Sequence, residues 1–112
     1  MDSCVFCKVI NGEFSSRKLY EDDLVLAFYD IQPKAPVHFL VIPKAHSHTG
    51  VADITPQNSV IIAHIFEVIA SVTAELGIEQ YRVITNNGED AGQTVFHLHF
   101  HVLAGKTLGE MG

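Results

Sequence analysis

Positive charge is scarce in this sequence. Seven Lys and Arg stand against 13 Asp and Glu in 112 residues, a formal net charge of −6. That balance argues against a protein that grips a nucleic-acid backbone by its phosphates, while leaving room for a single nucleotide in a shaped pocket. Long apolar runs are missing too. No stretch approaches the ~20 residues needed to span a bilayer, and the N-terminus lacks the basic region, apolar stretch and small-residue cleavage site of a signal peptide. The expectation is therefore a cytoplasmic protein with neither a nucleic acid nor a membrane as partner. Cysteine is confined to Cys4 and Cys7. In a reducing compartment that spacing suits a metal half-site or a redox pair better than a structural disulfide. No repeat, low-complexity tract or Gly/Ser-rich linker divides the chain. With 47% of residues apolar, one compact domain over residues 1–112 is expected.

What is present reads as an α+β pattern. Residues 4–12 suggest a short helix ended by Asn11-Gly12, with Val5, Val9 and Phe6 as inward candidates. Lys18 to Glu21 and Leu24 to Tyr29 suggest a hairpin turning at Asp22-Asp23, and Val37 to Ile42 is a third strand between Pro36 and Pro43. A long helix follows, with Thr55 as its cap, Pro56 in its first turn and Ile62, Ile65, Phe66, Ile69, Val72 and Leu76 at helical spacing up to Gly77. Tyr81 to Thr85 and Val95 to Leu103 complete five strands of a largely antiparallel sheet, with one long and one short helix. The loop between them, Asn86 to Thr94, is long for a hairpin and carries Gly88 and Gly92, which suits a ligand-facing loop.

The most informative segment is His97-Leu98-His99-Phe100-His101-Val102-Leu103. Side chains alternate faces along a strand, so three imidazoles share one face, ~6.6 Å apart, and Leu98, Phe100 and Val102 share the other. Outer histidines at that spacing can flank a phosphate while the middle one points at phosphorus. A neutral imidazole is both available and reactive near pH 7, with an unperturbed pKa of about 6.5. The same pattern could instead line a partly buried strand or chelate one metal, although each imidazole must then find polar partners.

This segment resembles the hallmark of the histidine-triad (HIT) family, His-φ-His-φ-His-φ-φ with φ apolar. The resemblance extends through Cys4-Val5-Phe6-Cys7-Lys8, Ala27-Phe28-Tyr29-Asp30-Ile31, the stretch from Pro36 to Lys44, and Gly92-Gln93-Thr94-Val95-Phe96. It looks most like the Hint branch of nucleoside phosphoramidases, rather than the dinucleoside-polyphosphate hydrolases. It implies a HIT fold whose sheet continues across a homodimer formed by the long helix and the fourth strand, and hydrolysis of purine nucleoside phosphoramidates or acyl-AMP with release of AMP or GMP. His99 then attacks the α-phosphorus and carries the nucleotidyl group, His101 stands beside the leaving group, and His38 supports them. The Gln93 and Thr94 side chains with backbone N–H groups meet the phosphate oxygens, so catalysis requires no cofactor.

The resemblance also implies that Asp30 accepts from the ribose hydroxyls, with Ile31 beside it, and that Phe6, Phe28 and Leu40 wall the base pocket. Asn86 and Gly92 match the nucleotide site. Alone, Asp30 and Asn86 would read as turn residues and the three apolar residues as core. Cys4 and Cys7 match a structural zinc site completed by His46 and His97, the alternative being free thiols at a helix start. His48 and His64 are expected to be solvent-facing or locally hydrogen-bonded. The ending Thr107-Leu108-Gly109-Glu110-Met111-Gly112 departs from the tryptophan-bearing tail of animal Hint proteins, which leaves substrate choice open. A dinucleoside-polyphosphate hydrolase and a nucleotide-binding or zinc-binding adaptor are the alternatives.

Overall fold

The computed structural model describes residues 4–111. Helix α1 (Val5–Ile10) leads into strands β1 (Lys18–Glu21), β2 (Val25–Tyr29) and β3 (Val37–Pro43), then helix α2 (Val60–Glu75), β4 (Arg82–Ile84) and β5 (Phe100–Ala104). Short 3-10 turns lie at Val51–Asp53 and Glu89–Ala91. The five strands form one sheet in the order β1-β2-β3-β5-β4, and every neighbouring pair is antiparallel.

The period-2 pattern of the strands divides the core between the two faces of this sheet. Val25, Ala27, Phe39, Val41, Phe100 and Val102 pack with Ile65, Val68, Ile69 and Val72 of α2 on one face. Leu26, Phe28, Leu40 and Ile42 pack with Phe6 and Val9 of α1 on the other. The β1–β2 turn is held by Asp22, whose Oδ1 accepts from the N–H groups of Leu24 and Val25 at 2.8 and 2.9 Å. Its Oδ2 accepts from Tyr20 Oη at 2.8 Å and lies 2.6 Å from His64 Nε2, tying α2 to the hairpin. Burial pushes the Asp22 carboxyl up, but the Leu24 and Val25 N–H groups, His64 and Tyr20 together hold it well below the usual carboxylate range.

Three local expectations are corrected. Helix α2 does not begin at Thr55-Pro56: its N-cap is Ser59. Asn58 Oδ1 accepts from Thr55 N–H at 2.7 Å while its Nδ2 donates to the Asp53 carbonyl, and such side-chain-to-backbone bonds hold the segment in turns. Val5 is exposed rather than inward, the buried residues of α1 being Phe6 and Val9; of the residues at helical spacing around α2, Phe66 and Leu76 are exposed, since its buried stripe runs through Ile65, Val68, Ile69 and Val72. The last strand covers only Phe100–Ala104. Upstream of it, Leu98 N–H donates to the His48 carbonyl at 3.0 Å and Thr85 Oγ1 donates to the His99 carbonyl at 2.7 Å, so Leu98 and His99 bond outside the ladder. Gly77 does end α2: at φ +73 it lets Ile78 N–H reach the Thr73 carbonyl and its own N–H reach that of Ala74, a Schellman closure. Among the described residues, no helix is long and apolar enough to cross a membrane.

Candidate active site

The face of the sheet that carries α1 also carries the histidines. Although only Phe100–Ala104 is ladder-paired, alternation persists upstream. Leu98, Phe100 and Val102 enter the α2 core, while His97, His99 and His101 turn to the other side. His99 is buried, and its Nδ1 lies 2.8 Å from the His97 carbonyl. A carbonyl oxygen only accepts, so Nδ1 carries the proton and Nε2 keeps the lone pair. Burial lowers the affinity of His99 for a second proton, partly opposed by the His97 carbonyl and the Asp30 carboxylate. The imidazole is thus held neutral, in the tautomer that leaves Nε2 nucleophilic.

The tautomers of His38 and His101 follow by the same logic. Lys34 N–H donates to His38 Nδ1 at 3.0 Å, so neutral His38 bears its proton on Nε2. That atom lies 3.0 Å from His101 Nδ1 and 3.5 Å from Asp30 Oδ2. His101 Nδ1 is therefore the acceptor, and the His101 proton sits on Nε2. Burial, with His99 and His38 adding to it and Asp30 opposing, pushes His101 down to about 4, so it is a neutral N–H donor at physiological pH. The Asp30–His38–His101 group is close enough to hold a cation. With Nδ1 of His38 engaged by Lys34 N–H, however, ligation through Nε2 would require an imidazolate, and the group is better described as a hydrogen-bond relay.

These side chains open on a cleft of about 540 Å³, a size suited to a small organic ligand. It brings together Phe6, Phe28, Leu40, Asp30, Ile31, Asn86, Gly92, Thr94, His99 and His101. Phe6 meets Phe28 edge-on at 5.9 Å and His99 at 4.9 Å, so one end of the cleft is aromatic and apolar and the other is imidazole. Gly92 sits in the left-handed region at φ +100, where a Cβ would stand 3.7 Å from Asn86 Nδ2; a side chain there is strained. Asp30 Oδ1 accepts from Gln32 N–H at 2.7 Å, the turn role that the residue taken alone suggests, while the carboxylate also lines the cleft.

Gln93 departs from expectation. Its side chain is buried: Nε2 donates to the carbonyls of Thr49 and Val95, and Oε1 accepts from Gly88 N–H at 2.8 Å. With both N–H bonds committed, the side chain fastens the loop from below instead of meeting a phosphate. His38 takes part through the relay, outside the residues that wall the cleft. Phe14, Ser15 and Ser16, also in the wall, were missed: they follow the first helix, where nothing in the residue pattern marks a pocket.

Behind the cleft, Cys4, Cys7, His46 and His97 converge, with one donor atom each, all within 4.8 Å of one another. Cys7 Sγ lies 3.1 Å from His46 Nδ1, Cys4 Sγ 3.5 Å from His97 Nδ1, and the two Nδ1 atoms 3.0 Å apart. His97 Nε2 is 2.7 Å from the Pro43 carbonyl and must donate to it, which frees Nδ1 as a metal donor with its outer nitrogen anchored. Burial, followed by the Cys4 side chain, raises the Cys7 thiol; a cation among the donors favours the thiolate instead. Donor set, count and orientation fit a closed tetrahedral zinc site. His48 and His64 lie outside both clusters, and His64 bonds Asp22.

Residues 11–108 match the HIT domain family model. The chain is similar to a HIT family hydrolase from Clostridium thermocellum, with 47% identity and a TM-score of 0.94 over 99% of this chain and 97% of that one. It is similar to a histidine triad protein from Clostridium difficile, with 49% identity and a TM-score of 0.92 over 100% and 97%. An uncharacterised HIT-like protein from Synechocystis is 43% identical over 106 residues, 94% of this chain and 92% of that protein.

Proposed function

The chain belongs to the HIT family, and from that premise we propose that it is a nucleotide hydrolase of the nucleoside phosphoramidase type, acting at the α-phosphate of purine nucleoside phosphoramidates or acyl-AMP. The observation that carries this reading is the His99 tautomer: with Nδ1–H bonded to the His97 carbonyl, the Nε2 lone pair serves a substrate in the cleft. Nε2 attacks the α-phosphorus, the bond from phosphorus to the leaving nitrogen breaks, and its electron pair stays on that nitrogen. His101 Nε2–H gives its proton to the nitrogen as it leaves, and the negative charge this puts on His101 is balanced by the positive charge of nucleotidyl-His99, which keeps its Nδ1–H. Water then attacks phosphorus, returns a proton to His101, and displaces His99 with release of the nucleoside monophosphate. Each half-reaction is easier than one direct displacement, and the enzyme ends with the protons it began with.

In the same reading the base lies between Phe6, Phe28 and Leu40, Asp30 accepts from the ribose diol, and Asn86, Thr94 and the loop backbone at Gly92 receive the phosphate. Zinc held by Cys4, Cys7, His46 and His97 supplies structural cross-linking of α1 to the triad segment. A homodimer that continues the sheet at β4 fits the edge position of that strand and the exposed Val60 and Phe66 of α2 and Leu76 at its C-cap.

His99→Ala tests the assignment. It is expected to lower kcat for an AMP phosphoramidate by at least about 10³-fold while AMP affinity stays within a few-fold of wild type. Equal turnover by the variant would remove His99 as nucleophile, and AMP binding without turnover by the wild type would favour an adaptor.

A further inference from the structure

Ser16 carries a polar atom that the fold itself does not use. Among the described residues its Oγ is the buried side-chain oxygen or nitrogen with no hydrogen-bond partner, and Ser16 lies in the wall of the cleft. A buried hydroxyl without a partner carries a desolvation cost and calls for an explanation.

Strand geometry places this hydroxyl. Lys18 pairs with Phe28, and Tyr29 N–H donates to the Arg17 carbonyl at 3.0 Å, so the antiparallel register continues to Ser16 opposite Asp30. The Arg17 guanidinium lies 4.5 Å from the Tyr29 ring, on the α2 side, because Tyr29 packs against that core. By alternation, Ser16 falls with Phe28 and Asp30 on the cleft side. The Asp30 carboxylate can only accept hydrogen bonds, and one oxygen already takes Gln32 N–H. A vicinal diol offers two hydrogens and two oxygens. A carboxylate can receive its hydrogens but offers nothing to its oxygens; a hydroxyl beside it supplies the missing donor.

We propose that Ser16 is a ribose-recognition residue, donating its Oγ–H to a diol oxygen of the bound nucleoside and forming with Asp30 a donor–acceptor pair selective for ribose over deoxygenated sugars. The proposal rests on the nucleotide reading of the cleft. It explains why an unpartnered hydroxyl is kept in a wall that also holds Phe14, Phe28 and Asp30: substrate, not protein, completes its hydrogen bond.

Calorimetric titration of wild type and Ser16→Ala with AMP and with 2′,3′-dideoxy-AMP tests it. A neutral hydrogen bond is worth roughly 2- to 12-fold in affinity. Ser16→Ala is therefore expected to weaken AMP binding by about that factor while binding of dideoxy-AMP stays within about 2-fold of wild type. The unliganded variant should melt no lower than wild type, since the substitution removes an unsatisfied group. Unchanged AMP affinity, or an equal loss for both ligands, overturns the ribose assignment while leaving the nucleotide reading intact. Failure of the wild type to bind either ligand overturns both, so the two failures are distinguishable.

Discussion

At the scale of single residues, side-chain chemistry at this site is set by which ring nitrogen is already occupied. His97, His99 and His38 each have one nitrogen bonded to a backbone group, and that bond decides whether the other nitrogen keeps a lone pair or carries the proton. The identities were legible in the sequence, because three histidines in strict alternation have few uses. The tautomers were not, because they depend on carbonyls and N–H groups that only the folded backbone positions. Gln93 shows the opposite limit: a polar residue in a glycine-bearing loop looks ligand-facing, yet its amide is consumed by Thr49, Val95 and Gly88. Gln93→Ala strands two carbonyls and an N–H group. The expected cost is roughly 2–4 kcal/mol of stability in denaturant unfolding, with a raised KM following from the loosened loop. A variant as stable as wild type but deficient in kcat would return the Gln93 side chain to the phosphate site.

At the scale of elements, α1 connects the two clusters. Cys4 and Cys7 face His46 and His97, while Phe6 between them contacts His99 and Phe28; the helix that carries the two thiols thus also walls the cleft. The short helix and the Cys-x-x-Cys spacing could be read in advance, but His46 and His97 as its completing donors came from resemblance, since 39 and 90 residues separate them from Cys7. The long helix was legible from its period, whereas its start was not, because Asn58 bonds Thr55 and Asp53 and delays it by a turn. Cys7→Ser is expected to reduce zinc, measured by metal analysis of purified protein, from about one ion per chain to near zero, and to lower Tm. A wild type purified without zinc, or a variant that keeps it, would count against the site.

At the scale of the whole molecule, the sheet separates stability from chemistry. One face is closed by α2, and the other leaves the histidines, the aromatic cleft and the thiol cluster together. The cost is a set of imidazoles buried in neutral form. His101 is pushed down to about 4, chiefly by burial, against about 6.5 in an unfolded chain. Between those values the unfolded chain binds the extra proton and the native protein does not, so stability rises with pH through that window and is lost as pH falls from about 6.5 to about 4. His38, lowered mainly by burial, acts in the same direction. Unfolding free energy measured across this range should decline toward acid more steeply in wild type than in His101→Asn; parallel curves would show that burial of this imidazole carries no such cost.

The central claim is that His99 Nε2 becomes bonded to the phosphorus of a nucleotide. Rapid mixing of wild type and His99→Ala with an AMP phosphoramidate, followed by acid-free quenching and intact-protein mass measurement with parallel detection of AMP, addresses it directly. The account predicts a gain of one nucleotidyl group on wild type, mapped to His99, with AMP release that outlasts the adduct, and neither in the variant. AMP release from both proteins at equal rates, or a wild-type adduct mapped to another residue, would contradict it.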